Sequence, residues 1–173
     1  MIFMKRIFNI RIVFLVFANL LLTSPASAES CFSKGKSGLK SDSMDVLNYS
    51  INLNVLYLST KKINGFTELT IVPKINNLHG IALDLLSLQV DSVIYINSNL
   101  NYSYNDTLLL ISMPSALNTA DTVSIKIFYQ GLPVIDPSGW GGFYFSSDSA
   151  FAFNLGVGFE SVPHNFGRVW FPC

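Results

Sequence analysis

Histidine and cysteine are scarce in this sequence, two of each in 173 residues, and each scarcity closes off a class of chemistry. His79 is followed by glycine and His164 by asparagine, so neither opens the H-E-x-x-H helix that holds a catalytic zinc. The histidines and cysteines share no recognisable ligand spacing, and no metal centre or cofactor is expected within these residues. Cys31 and Cys173 lie far apart, which excludes the disulfide framework of a small secreted domain. One long bridge stays open in an oxidising compartment. No Gly-x-Ser-x-Gly elbow is present, and Gly156-Val157-Gly158 is too short for a phosphate loop.

Charge is also sparse, at 13% of residues, with eleven basic and eleven acidic side chains. Three of the basic ones, Lys5, Arg6 and Arg11, precede an apolar run from Ile12 to Leu22 that only Asn19 interrupts, and Ala26-Ser27-Ala28 comes next. A basic start, a short apolar middle and a small-residue end are the layout of a secretory signal peptide, here residues 1–28. The apolar run is far shorter than the roughly 20 residues that span a bilayer. Glu29 and Ser30 are poor lipobox residues before Cys31, so a soluble exported chain, periplasmic or extracellular, is expected rather than a lipoprotein. Beyond Ala28, eight basic residues face eleven acidic ones, a formal charge of −3. That balance argues against a nucleic-acid partner and, once the leader is cleaved, against an anionic membrane.

Residues 29–43 are rich in serine, lysine and glycine and read as a flexible lead-in, with order beginning near Met44. The chain beyond the leader is long enough for one domain and too short for two. Apolar residues recur at period two: Tyr49, Ile51, Leu53, Val55 and Tyr57 alternate along a first strand. Asn64-Gly65 closes a connection to a strand over 66–72 that Pro73 stops. Further strands are predicted over 80–86, 89–96, 107–112 and 122–129, separated by clusters of Asn, Ser, Asp and Gly. No helical period appears after the leader, so the fold class is all-β, an antiparallel sandwich or a curved, saddle-like sheet. Asn48, Asn101 and Asn105 begin Asn-x-Ser/Thr sequons; in a chain this rich in Asn and Ser they are assigned no role.

The alternation breaks after Gln130, where Gly131, Pro133, Pro137, Gly139, Gly141 and Gly142 crowd together before aromatic-rich sequence. Gly142-Phe143-Tyr144 with Ser146, then Glu160, then Gly167-Arg168-Val169-Trp170-Phe171-Pro172-Cys173 occur in that order. This succession resembles the end of the amino-terminal β-domain of aminopeptidase N-like zinc metallopeptidases, over roughly residues 44–173. The resemblance implies a non-catalytic domain, incomplete at its C-terminal end, from an exported enzyme that removes amino-terminal residues from peptides. Zinc would be held in a missing catalytic domain, and peptide would be met only through that parent.

Glu160 is the residue singled out for substrate contact. In the resembled family a Gln-x-Glu run projects into the cleft and its glutamate binds the peptide's α-amino group; here the run is Gly158-Phe159-Glu160. An ammonium leaving water needs a carboxylate, which is how such a site selects amino termini. Gly158 stands where glutamine is usual and removes a side chain from the first substrate pocket, and the spacing from Glu160 to Arg168 is longer than usual. Glu160 also reads as a solvated loop carboxylate or as the ion-pair partner of Arg168. Arg168 itself is expected to pair with a carboxylate and stack on an aromatic ring; the resemblance implies that Cys173 is a buried structural thiol, and hence two free thiols. His164 reads as a hydrogen-bonded loop residue, and Trp140 as packing on the sheet or lining a rim. The rival reading is a self-standing exported β-sandwich that binds a partner or glycan without an enzymatic parent.

Overall fold

A computed structural model describes residues 42–55, 58–137, 139, 141–148, 150–156 and 166–173. The expected leader, the expected lead-in to residue 41, and Trp140, Gly158, Glu160 and His164 all lie outside them. Ten strands run in chain order: β1 Met44–Asn54, β2 Ile63–Pro73, β3 Leu78–Asp84, β4 Gln89–Tyr95, β5 Ser98–Asn99, β6 Tyr102–Tyr104, β7 Leu108–Leu117, β8 Val123–Gly131, β9 Gly141–Phe145 and β10 Ala152–Gly156. Among the described residues there is no α-helix, only 3-10 turns such as Leu58–Thr60 and Phe166–Val169. One sheet has the order β1-β2-β8-β4-β5, a second β3-β7-β6, and β10-β9 form a separate hairpin. Every paired strand is antiparallel.

Period-two patterning explains why the two larger sheets share a core. In β8, Val123, Ile125, Ile127 and Tyr129 are buried while the residues between them are not. Leu69 and Ile71 of β2 and Val90 and Val93 of β4 join them, against Ile81 and Leu83 of β3 and Leu109, Ile111 and Met113 of β7. The opposite face of the large sheet carries Glu68, Ser124 and Lys126 across β2 and β8, with Lys126 over the Phe66 ring. The Glu68–Lys126 pair, 3.3 Å apart, is exposed enough to contribute little.

The predicted strands recur with shifted ends, and the differences have causes. β1 starts at Met44, where order is expected to begin, and ends at Asn54, with Leu56 and Tyr57 outside the described residues. Its alternation gives a half-buried strand over its second half, where Ile51 and Leu53 are partly buried and Ser50 and Asn52 exposed, while Tyr49, nearer the register shift between Val46 and Asn48, is exposed. Leu47 stays 61% exposed. β7 runs past the predicted stop at Ser112 and through Pro114. The proline is tolerated because the β3–β7 register slips between Gly80↔Ser112 and Leu78↔Leu117, where no regular ladder needs its N–H, and β6 pairs no further than Ile111. β5 and β6 are too short to show a period.

One polar pair sits within the core: the hydroxyls of Thr67 and Tyr129, both buried, lie 3.2 Å apart. Burial pushes the Tyr129 phenol up from 10.0 to about 12, against a smaller opposing effect of Thr67, and burial drives Tyr49 and Tyr104 up to about 12 as well. A folded-state value raised above the unfolded one stabilises the fold fully below pH 10 and is lost as pH rises through 12. Tyr129 alone should therefore forfeit about 2–3 kcal/mol across that window. Thermal midpoints measured from pH 8 to 12 should fall steeply only above pH 10; a midpoint flat across the window would show the phenols ionising freely in the fold.

Candidate functional site

The residues flanking Gly158 and Glu160 are held by the β9–β10 hairpin and the segment 166–173. β9 and β10 pair from Phe145↔Ala152 to Gly141↔Gly156, and Ile135 bridges Gly142 on the other side of β9. The 3-10 turn at Phe166–Val169 lies against β9 because Gly141 has no side chain: a Cβ there would stand 2.8 Å from the Phe166 ring. A Cβ on Gly156 would lie 3.8 Å from the Phe166 Cβ, so the described residues on either side of 157–165 are neighbours. Both ends of the segment carrying Glu160 are thus fixed to one hairpin.

Arg168 secures the returning end. Its Nε donates to Asp136 Oδ2 at 2.7 Å and its Nη2 to Oδ1 at 3.0 Å, a bidentate pair around a carboxylate whose side chain is 0% exposed. These hydrogen bonds raise the guanidinium pKa further, outweighing partial burial. The Asp136 N–H donates to the Gly141 carbonyl, tying the same residue into the start of β9. The expected ion pair is therefore present, but its carboxylate is Asp136. The cation standing over an aromatic ring among the described residues is Lys126, not Arg168. Asp136 was missed in the sequence, although a signal existed. Arg168 is the sole arginine after Arg11, and Asp136 the sole acidic residue between Asp121 and Asp148. A lone guanidinium in an apolar stretch implies a specific partner.

The rest of the terminal segment adds to the end of β3. Leu86 N–H donates to the Arg168 carbonyl at 2.6 Å, and Asp84 and Cys173 exchange backbone hydrogen bonds at 2.6 and 3.0 Å. Trp170 packs against Phe143 and Phe171, and Phe171 meets the Tyr49 ring edge-on at 5.7 Å, linking the segment to β1. Cys173 is half-buried. No group of three or more His, Cys, Asp and Glu among the described residues could hold a metal ion, so the chain's own side chains there do not fit zinc.

No family model matches the sequence, and no curated protein matches it either. Solved structures do match the fold. An M1 zinc metallopeptidase from Deinococcus radiodurans superposes with a TM-score of 0.51 at 20% identity, over 61% of this chain and 26% of its own. The same enzyme bound to a Tyr-Ser-Ala substrate gives 0.50 at 21%, over 61% and 27%. Leukotriene A4 hydrolase from Saccharomyces cerevisiae gives 0.53 at 17%, over 76% of this chain and 21% of that one. The β-fold described above is thus the fold of the amino-terminal domain of M1 zinc metallopeptidases. This chain spans about a fifth to a quarter of the length of those neighbours.

Proposed function

We propose that this chain is the amino-terminal, non-catalytic domain of an exported zinc aminopeptidase, which caps the cleft of the parent and contributes Glu160 as an anchor for the peptide's α-ammonium. The observation that carries the reading is the fold likeness to enzymes of that class, one of them solved with a peptide substrate. It is supported by the way Asp136, Arg168 and Phe166 fasten the residues on either side of 157–165 to the β9–β10 hairpin. Zinc and its activated water would belong to the remainder of the parent. Gly158, in place of a larger side chain, would leave the first substrate pocket more open.

Coding DNA read beyond the Cys173 codon should continue into an H-E-x-x-H helix with a downstream glutamate. In that parent, Glu160→Ala should lower kcat/KM for peptides with a free amino terminus by about 10–100-fold, the loss of one charge-assisted hydrogen bond. A stop codon after Cys173 would overturn the proposal and leave a self-standing exported β-domain. Unchanged kcat/KM would remove the anchor role alone.

A further inference from the structure

Five of the nine exposed large hydrophobic residues among those described, Leu132, Ile135, Phe151, Phe153 and Leu155, fall in the short stretch that contains the β9–β10 hairpin. Register shows which share a face. Directly paired residues point to the same side of a sheet, so Phe153 with Tyr144, and Leu155 and Ile135 with Gly142, lie on the side opposite Phe143 and Gly141. Phe143 is buried against Trp170 and Gly141 against Phe166, which makes theirs the inner side and the other the outer. Phe151 sits on the outer side too: Ser146 N–H donates to the Phe151 carbonyl one step beyond the Phe145↔Ala152 pair, and the Phe151 ring lies 6.0 Å from Phe153.

We propose that this outer face is a self-association surface that stacks on the same face of a second copy of this chain about a two-fold axis. Two observations select that occupant. Among the described residues, β9, β10 and Ile135 carry no charged side chain, the hairpin's charge being Asp148 in the turn, so the paired strands of two copies meet without like-charge repulsion. The area also fits. With about half of a roughly 200 Å² side chain uncovered at each of Ile135, Phe151, Phe153 and Leu155, two faces would bury on the order of 1,000 Å² once Tyr144 and backbone are included. That is the lower edge of a specific interface, so the dimer is weak, with a Kd on the order of 10–100 µM.

This proposal concerns the chain on its own and does not rest on the aminopeptidase reading. Sedimentation velocity on the purified chain from about 1 µM to several hundred should show a monomer–dimer equilibrium that stops at two copies. Leu155→Lys should weaken it at least about tenfold by placing like charges in the contact. Leu47→Lys, at a more exposed position on β1, should leave it unchanged. Should Leu155→Lys lower the thermal midpoint, Ile135→Lys carries the same test from outside the strands. A monomer at every concentration would leave this face to a different polypeptide and overturn the proposal. So would growth beyond two copies, or equal effects of Leu47→Lys and Leu155→Lys.

Discussion

Replacing Arg168 with alanine is expected to destabilise the folded domain by about 3–5 kcal/mol. The cost is not the loss of an attractive pair in water. It is the removal, from a carboxylate whose side chain has no exposed surface, of the guanidinium that donates to both of its oxygens. Arg168→Lys should recover only part of it, since an ammonium cannot reproduce the two-pronged geometry. Asp136→Asn should cost less than Arg168→Ala, because it leaves a neutral amide beside a guanidinium that is 29% exposed and keeps some access to water. In a double-mutant cycle the two sites should be strongly non-additive. Urea unfolding followed by the fluorescence of Trp140 and Trp170 together would measure all four proteins. A loss below about 1 kcal/mol in Arg168→Ala would mean that water reaches Asp136 and that the pair is only a surface contact.

The second large effect is expected at the centre of the main sheet. Ile127 lies on β8 between β2 and β4, paired with Thr67 on one side and Val93 on the other, and has no exposed surface. Ile127→Ala should cost about 2–5 kcal/mol through lost transfer energy and the cavity left between two sheets that cannot both collapse onto it. Leu47→Ala removes a side chain of similar size from an exposed bulge on an edge strand and should change stability by less than about 0.5 kcal/mol. Equal effects at the two positions would contradict the layered core.

The sheet-forming segments were legible because their apolar residues alternate, and β8 shows why: its inward residues Val123, Ile125, Ile127 and Tyr129 alternate with outward ones that are polar except for Phe128, so period and burial coincide. The same signal holds over the second half of β1, where Ile51 and Leu53 are half-buried beside exposed Ser50 and Asn52, and fails toward the register shift between Val46 and Asn48, where Leu47 and Tyr49 are exposed. β9 and β10 escaped detection because glycine and aromatic residues erase the period: Gly141 and Gly142 lie flat under the rings of Phe166 and Tyr144, a tertiary arrangement with no local signature. The site was legible in part. Arg168 was expected to find a carboxylate, but the choice of Asp136, thirty-two residues upstream, depends on how the chain after β8 turns back to begin β9. Glu160 and Gly158 were named from a resemblance and lie outside the described residues, so their roles rest on the proposed function.

The closeness of Gly156 and Phe166 has an evolutionary meaning. A segment whose two ends are anchored independently can change length without unfolding its host, because closing a chain of twice the length adds only about 0.6 kcal/mol of entropy. Loop-closure entropy therefore sets only a small cost on a change in the number of residues between Gly156 and Phe166, while Asp136, Arg168 and Phe166 hold the frame. An insertion between Glu160 and Arg168 would be a cheap way for such proteins to vary what they meet at that end of the domain, with the scaffold unchanged.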